Sequence, residues 1–303
     1  MKKIVLLLAI IAKSTFSFTQ GCSDAGFCTL GNLNPLHQNK EKSQLTIGFT
    51  NGIGDEGVFV FTPSIKYDYR INKSWEIQAK VTSNYASGNL GSAFGLGDLF
   101  LNTTHTFKSK SKWKSSFIIG TKIPLNNSNL KFDNKSLPMQ YQSSLGTVDA
   151  IAGYTITNSK WLFATAVQIP LTHHNGNQFL PLVFGGSNAS KYPPTFNFNR
   201  KADVLIRGNY EIASTAKSKF NIGLLGIYHL SNDFYKNLSI SNNYIEINGS
   251  EGLTLNFTAA ASFKLSKKFT LGFLAGTPLV VRDLRPDGLT RSFSINTDLI
   301  FNF

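Results

Sequence analysis

Charged side chains recur at every second position along several stretches of this chain, and this spacing limits the chemistry that they can perform. Alternate residues of a β-strand point to the same face of a sheet, so these side chains would form ladders of both signs on one face. The members that we single out are Lys66, Arg70, Lys80, Asp98, Lys122, Asp149, Arg207 and Asp298. Such ladders either pair across a narrow space, which satisfies buried charge, or line a watery path that orients a polar solute. The sequence leaves both arrangements open, with pairing as the default.

The histidines offer a second kind of chemistry, but no partner stands near them in the sequence. His173 and His174 are adjacent in a long polar stretch without a nearby cysteine or acidic residue to complete a metal site. His105 has Phe107 rather than a serine two positions later, so the His and Ser pair of outer-membrane phospholipases is not reproduced. We therefore predict no catalytic residue, no metal and no cofactor. A lipid-active enzyme that depends on His105 or His173 stays as the less favoured alternative.

The elements that would carry the charged ladders are strands. From residue 45 onward the chain divides into segments of alternating apolar and polar residues, each about as long as a tilted membrane strand. Their bounds are 45–50, 58–71, 75–84, 96–107, 113–125, 145–157, 160–171, 200–212, 218–231, 251–264, 268–281 and 291–303. In the last segment the apolar face runs to Phe303, as in the closing strand of bacterial outer-membrane barrels. We predict an all-β fold for 45–303, a transmembrane antiparallel up-and-down β-barrel of about twelve strands, over the alternative of a soluble sandwich.

The connections between these segments are alternately short and long. The short turns are 72–74, 108–112, 158–159, 213–217 and 265–267, and the long loops are 51–57, 85–95, 126–144, 172–199, 232–250 and 282–290. Bacterial barrels have short periplasmic turns and longer outer loops. We therefore predict a protein of the cell outer membrane whose short turns and both termini are periplasmic.

Aromatic residues recur at one level of the predicted barrel. The first outward-facing residue after each short turn is Trp75, Trp113, Trp161, Phe220 or Phe269. Tryptophan favours the membrane interface, because its apolar ring can lie at the acyl boundary while its N–H group stays in water. A soluble sandwich gives no reason for this repeat, so it favours the barrel.

The other end of the strands carries a second repeat. Pro124, Pro170 and Pro278 each follow a girdle aromatic by about ten residues and face inward by parity, and His229 falls inward at the same level. Because proline cannot donate to the ladder, these residues predict the place near the outer rim where regular pairing ends. Inward kinks that form a constriction are the alternative.

The N-terminus has the features of an export signal. Two lysines precede the apolar run 4–12, and Ser17 and Thr19 stand three and one positions before Gln20. The run is too short to cross a membrane as a helix. We predict that residues 1–19 are a signal peptide.

A polar leader, residues 20–44, follows the signal. Cys22 and Cys28 lie close together in an exported chain, which predicts a disulfide-closed loop. Lipid attachment at Cys22 is less favoured, because the leucine of a lipobox is missing. The leader either hangs in the periplasm or folds into the lumen as a plug, and we favour the plug.

The net charge of +13 limits the kinds of partner that the chain is expected to bind. Many lysines fall in the short turns, where they would face the head groups of membrane lipids. No basic cluster is interleaved with a stacking platform, so nucleic-acid binding is not predicted. The predicted partners are outer-membrane lipids, an unidentified small solute, and the barrel-assembly machinery, which would recognise the last strand ending at Phe303.

Two neighbouring strands carry a family resemblance. The run Gly95-Leu96-Gly97-Asp98-Leu99 and the run Gly120-Thr121-Lys122-Ile123-Pro124 resemble motifs of the outer-membrane, transporter-like family named after the meta-cleavage pathway of phenol degradation. The asparagine-rich composition and the cysteine-bearing leader are more typical of a Bacteroidota-type relative. The resemblance implies a passive channel for small molecules, including hydrophobic or aromatic ones. A closed structural or surface-interaction barrel without transport is the alternative.

Overall fold

The computed structural model describes residues 30–36, 41–238, 243–288 and 293–303. The predicted signal peptide lies outside these ranges, and so do Cys22 and Cys28 with their predicted disulfide. Within the described ranges, no helix is both long and apolar enough to span a membrane.

Twelve antiparallel strands close into a barrel, each pairing with its neighbours in the sequence and the last with the first. They are β1 Ser43–Ile53, β2 Phe59–Arg70, β3 Trp75–Gly88, β4 Gly91–Thr106, β5 Lys114–Pro124, β6 Asp149–Thr157, β7 Trp161–Pro170, β8 Asp203–Ser214, β9 Ser218–His229, β10 Gly252–Lys264, β11 Phe269–Val280 and β12 Phe293–Asn302. The predicted fold class is confirmed, and every predicted segment overlaps one of these strands.

The connections contain the remaining short elements. Single helical turns occur at Gly31–Leu33, Asp55–Gly57, Met139–Tyr141, Pro181–Phe184 and Ala189–Lys191. Two small hairpins pair Lys131–Phe132 with Lys135–Ser136 and Asp233–Lys236 with Tyr244–Ile247.

The distribution of side chains is the reverse of that in a soluble barrel. On β2 the side chain of Ile65 is 59% exposed on the outer surface, whereas the next residue, Lys66, is only 7% exposed. On β8 the corresponding values are 64% for Ile206 and 1% for Arg207. Period-two alternation puts the apolar residues outside and the charged residues inside, which is the arrangement that suits an apolar surrounding.

The hairpin of β3 and β4 is longer than predicted. The predicted loop 85–95 is wrong, because β3 continues to Gly88 and β4 resumes at Gly91. The turn between them is fixed by loop contacts, since the backbone N–H of Leu90 donates to the hydroxyl of Tyr141 at 3.1 Å. These partners are distant in sequence, so local periodicity does not reveal them.

The long loops fold together over the barrel end that lies opposite the short turns. One apolar cluster joins the top of β2, β3 and the β3–β4 turn to Leu137, Tyr141, Phe179 and Tyr192 of two long loops. A smaller cluster packs Met139 and Phe198 against Ile247. The loops therefore form a packed cap rather than independent excursions.

At the short-turn end of the barrel the first and last strands meet, and the aromatic residues that were predicted for the membrane interface lie there. The backbone N–H of Phe303 donates to the carbonyl of Ser43 at 3.0 Å, so both ends of the barrel sequence lie at this end. Trp75, Trp113 and Trp161 are each partly exposed on the outer surface beside the short turns. Neighbouring aromatic side chains extend this belt, since Trp161 lies 4.6 Å from Tyr210 between ring centroids.

Candidate functional site

The inner wall of the barrel has an apolar half and a polar half. The inward side chains of β4 to β9 include an apolar cluster that contains Phe100, Ile118, Ile151, Ala164, Ala166, Leu205, Leu225 and Ile227. The inward positions of β10 to β12 and β1 to β3 are mostly Thr, Ser, Asn, Gln, Lys and Asp. The apolar half was not predicted from the sequence, because its strands have apolar residues on both faces, as at Ile118 and Ile119.

Residues 30–36 of the leader lie inside the barrel against the apolar half. Leu30 and Leu33 are fully buried in the cluster of β4 to β9. The backbone N–H of Gly31 donates to Oε1 of Gln78 at 3.1 Å, and Asn32 Nδ2 donates to Ser116 Oγ at 2.9 Å. These contacts attach the segment to the wall at both apolar and polar points.

Two further contacts define the path of this segment. Gly31 has a positive φ of 43°, and a Cβ there would lie 2.9 Å from Thr104 Oγ1, so the position requires glycine. At the other end of the segment, Leu36 packs against Ala260 and Leu274 on β10 and β11. The segment therefore crosses the lumen from the apolar half toward the polar half.

Arg207 connects the barrel wall to the leader. Its side chain is 1% exposed, and Nη1 donates a hydrogen bond to the backbone carbonyl of Leu33. A guanidinium that donates to a carbonyl forms a charge-assisted bond, which is stronger than a neutral one. The side chain of Arg207 is therefore bonded directly to the leader.

The other predicted lumen residues also occupy inward positions of their strands. Lys66, Asp98, Lys122, Asp149 and Asp298 are buried, and Lys80 and Arg70 are half-buried. Lys66 forms an ion pair with Asp68 at 3.2 Å, and Lys122 forms one with Asp149 at 2.9 Å. Arg70 stands opposite Glu76 at the short-turn mouth.

The two motifs of the family resemblance face each other on β4 and β5. Asp98 is the register partner of Pro124, and Asn102 is the partner of Gly120. Ser144 Oγ donates to Asp98 Oδ1 at 2.6 Å. The β5–β6 loop is therefore bonded to the inner wall at the first motif.

The second motif makes a comparable contact. Thr147 Oγ1 donates to Asp149 Oδ1 at 2.6 Å, and Lys122 Nζ lies 3.3 Å from Thr147 Oγ1. Gln168 also donates to Asp149. The charged side chains of both motifs thus hold the base of the loop cap, Lys122 through its ion pair with Asp149 and Asp98 through its hydrogen bond from Ser144.

The predicted rim prolines mark strand ends in two cases of three. Pro124 and Pro170 are the last residues of β5 and β7. Pro278 lies inside β11, opposite Asn256, where the register shifts. A bulge removes the need for a ladder donor at that position.

His229, at the same level, lies between two carboxylates. Its Nδ1 is 2.6 Å from Asp203 Oδ1 and its Nε2 is 2.8 Å from Asp233 Oδ1. Asp203 also accepts a hydrogen bond from Arg200. Because both ring nitrogens face acceptors, the geometry favours the doubly protonated imidazolium.

The network continues into the loop after β11. Arg282 Nη2 lies 2.5 Å from Asp287 Oδ2, and Arg200 Nε lies 3.6 Å from the same carboxylate. Burial alone would raise the pKa of Asp287, but the guanidinium groups of Arg282 and Arg200 lower it below its ordinary value. Arg200, Arg282 and Asp287 were not predicted as site residues. Arg200 stood at the start of the predicted strand 200–212, whereas the strand begins at Asp203, and Arg282 and Asp287 lie in a loop without periodicity. The closeness of Arg282 and Asp287 within one loop is the local feature of the sequence that could have indicated this network.

The remaining histidines do not form a site in the described part of the chain. His105 lies on the outer surface, 4.4 Å from Trp75 and 4.9 Å from Phe107 between ring centroids. His173 and His174 are exposed in the β7–β8 loop. Across the described residues, no group of three or more His, Cys, Asp or Glu side chains is placed to hold a metal ion.

Comparison with known proteins shows the fold. No protein-family description matches the chain, and no curated protein matches it. The crystal structure of an outer membrane channel from Pseudomonas putida F1 is similar, with a TM-score of 0.58 and 13% identity over 88% of this chain and 97% of that chain. The translocator domain of autotransporter NalP from Neisseria meningitidis (TM-score 0.48, 8% identity, 88% and 91% covered) and the KdgM porin (0.43, 9%, 85% and 99%) are more distant.

Proposed function

We propose that this chain is an outer-membrane channel through which small molecules diffuse passively. The observation that carries the proposal is the closed barrel with an apolar outer surface and an inner wall of charged and polar side chains. A lumen of this kind can hold water and polar solutes. The short turns and both ends would face the periplasm, and the assembly machinery would recognise the last strand at Phe303.

The leader is the proposed gate of this channel. Residues 30–36 occupy part of the lumen. They are held by the packing of Leu30, Leu33 and Leu36, by the bond from Arg207 and by single hydrogen bonds of Gly31 and Asn32. This segment is not part of the strand pairing, and each strand is paired on both sides, so the segment can leave the wall without unfolding the barrel. Displacement of the leader would expose the apolar half of the wall.

Displacement of the leader would make the apolar half of the wall accessible, and this surface supports the solute class that the family resemblance implies. The inward surface around Phe100, Ile118 and Ile151 would accept small hydrophobic or aromatic compounds. The proposal contains no chemical step and needs no cofactor.

Planar-bilayer conductance of the refolded protein, with and without residues 20–41, which end before β1 begins at Ser43, tests the proposal. We expect unitary current steps that become larger when the leader is deleted. The folding of the barrel in both forms should be verified by heat-modifiable migration in gels. Silence of both forms, with the barrel folded, would rule out the diffusion channel.

A closed structural barrel is the second candidate, and the loop cap is the observation that favours it. The buried cluster of Leu137, Tyr141, Phe179 and Tyr192 covers part of the outer end. For a closed barrel we expect no conductance and a phenotype confined to variants of the loops 126–144 and 172–199.

A further inference from the structure

An open pocket of about 510 Å³ lies in the mouth of the barrel at its short-turn end, next to the leader. We call it the mouth pocket. Asn32 and Asn34 of the leader form its inner end, and residues of β2 to β9 and of the turns between them form its sides. Sites for small molecules typically have volumes of roughly 300–1,000 Å³. Because the paired strands separate the lumen from lipid, an occupant of this pocket would be a soluble molecule.

The two acidic residues of the mouth pocket stand beside basic ones. Glu76 on β3 is the register partner of Arg70 on β2. Glu211 on β8 forms an ion pair with Lys219 on β9, at 3.5 Å between Oε2 and Nζ. All four residues line the pocket, so the charges of this part of its wall balance.

Three further lysines line the same pocket and make it basic. Lys73 lies in the β2–β3 turn, Lys114 begins β5, and Lys160 lies in the β6–β7 turn. None of the three forms an ion pair within the part of the chain that the structure describes. They come from separate segments around one opening, so their positive potentials add there. A cleft with low-dielectric walls concentrates ions of the opposite sign, and the mouth pocket should therefore concentrate anions.

A buried amide group at the mouth pocket has no partner among the described residues. Asn209 lines the pocket and is only 3% exposed, yet neither its Nδ2 nor its Oδ1 atom is hydrogen-bonded. It follows Arg207 by two positions on β8, so both side chains lie on the same face of the strand. Buried polar atoms are normally paired. The Nδ2 group of Asn209 is thus available as a donor to an occupant of the pocket.

We propose that the mouth pocket binds small soluble anions with several oxygen acceptors, and that the channel consequently carries anionic solutes in preference to cationic ones. The ammonium groups of Lys73, Lys114 and Lys160 attract the anion, and Asn209 Nδ2 donates to one of its oxygens. Basic side chains that surround an opening favour the passage of anions. The preference for anionic solutes rests on the proposed channel function, whereas anion binding in the pocket does not.

Acetylation of lysines in the folded, full-length protein in detergent tests the binding of anions. Pyrophosphate is the probe, at constant ionic strength, and mass spectrometry gives the rate at each lysine. We expect pyrophosphate to slow the acetylation of Lys73, Lys114 and Lys160. Lys267 and Lys268 lie in another short turn outside the pocket and should react at an unchanged rate. Equal protection of all five lysines, or protection of none, would overturn the pocket.

Substitutions test the assigned contacts. In Lys114→Gln the pyrophosphate concentration that half-protects Lys160 should rise about fivefold, because one nearby charge is lost. Lys114→Arg keeps the charge and should protect Lys160 as the original chain does, which separates the effect of charge from a loss of structure. Asn209→Leu keeps the approximate side-chain volume and should also raise this concentration. An unchanged concentration in Lys114→Gln or in Asn209→Leu would overturn the role of that residue.

The zero-current potential of the full-length protein in a planar bilayer under a KCl gradient tests the preference for anions. We expect chloride to be severalfold more permeant than potassium. The permeability ratio should fall when Lys73, Lys114 and Lys160 are replaced by glutamine, and it should stay unchanged when Lys267 and Lys268 are replaced.

The outcomes separate this proposal from the channel function. A channel that conducts both ions equally would overturn the preference for anions and keep the channel. Protection of the pocket lysines in a protein that is silent in bilayers would support the pocket and remove the channel together with the preference.

Discussion

Arg207 illustrates how much a single inward side chain contributes to the arrangement of the lumen. It is buried on β8 and donates to the carbonyl of Leu33, and it thereby fixes the leader against the apolar wall. A buried guanidinium is costly unless it is bonded. The leader and the wall therefore stabilise each other, and the loss of either partner should loosen the other.

We predict that Arg207→Met releases the leader. The variant leaves the Leu33 carbonyl without this donor, which costs about 1–3 kcal/mol in a buried site. Hydrogen exchange of the amides in 30–36 should become faster, and bilayer conductance should rise toward that of the leader deletion. Leu33→Ala should act in the same direction through lost packing, and unchanged exchange in both variants would contradict the attachment.

The ionisation of Asp287 leads to a prediction of how the stability of the loop cap depends on pH. Its pKa is lowered by Arg282 and Arg200, and the neighbouring network also contains Asp203 and His229. A carboxyl group with a depressed folded pKa stabilises the folded loop above its unfolded pKa of about 4, and this contribution is lost as the pH falls through the lower folded value. Acid should therefore loosen the cap.

The measurement is limited proteolysis of the loop 281–288 between neutral and acidic pH. The original chain should be resistant at neutral pH and become sensitive only in strong acid. Asp287→Asn should be sensitive already at neutral pH, since it leaves two buried guanidinium groups without this partner. Equal resistance of the variant across the range would contradict the role of the network.

At the scale of the strand, the exposed apolar residues define the surface that faces lipid. Ile206 is 64% exposed on β8, and Leu182 is 96% exposed in the helical turn of the β7–β8 loop. Only the strand residue would lie in the apolar part of a bilayer. The two residues are similar in size and both are exposed, so they form a matched pair.

We predict that Ile206→Arg destabilises the barrel in bilayers and Leu182→Arg does not. Arginine on the lipid face near the midplane costs roughly 2–4 kcal/mol, whereas a charge in a watery loop costs little. Urea titration of the folded fraction in vesicles measures both. Equal stability of the two variants would contradict the membrane-spanning arrangement.

At the scale of the whole molecule, the short-turn end is strongly basic. Between the observed strands the five short turns are 71–74, 107–113, 158–160, 215–217 and 265–268, and none of them contains an acidic residue. Their lysines are Lys73, Lys108, Lys110, Lys112, Lys160, Lys217, Lys267 and Lys268. The aromatic belt lies directly beside them. This end is therefore suited to a leaflet with anionic head groups.

We predict that Lys108, Lys110 and Lys112 give the folding protein a preference for anionic vesicles. Replacing these three residues by glutamine should reduce that preference, since each basic residue near an anionic surface contributes about 1 kcal/mol. The rate of folding into vesicles with and without phosphatidylglycerol measures the effect. Replacing Lys131, Lys191 and Lys236 of the long loops is the control and should leave the preference unchanged.

The pattern of residue types was enough to predict the strands and the direction of their side chains. Alternation in a strand is a local, two-residue property, so residues such as Lys66, Asp149 and Arg207 could be assigned to one face without any partner. The predicted class and number of strands are confirmed for the same reason. The cavity between the leader and the polar half of the inner wall was not foreseen, because its lining residues come from six strands and the leader.

Tertiary structure alone decided which inward residues meet. The bond of Arg207 to Leu33 joins residues 174 positions apart, and the network of His229 brings together three loops and two strand ends. The predicted loop 85–95 is a tight hairpin because Tyr141, far along the chain, bonds to Leu90. Such contacts depend on barrel closure and loop packing, which act between distant segments, whereas periodicity records only the environment of each strand.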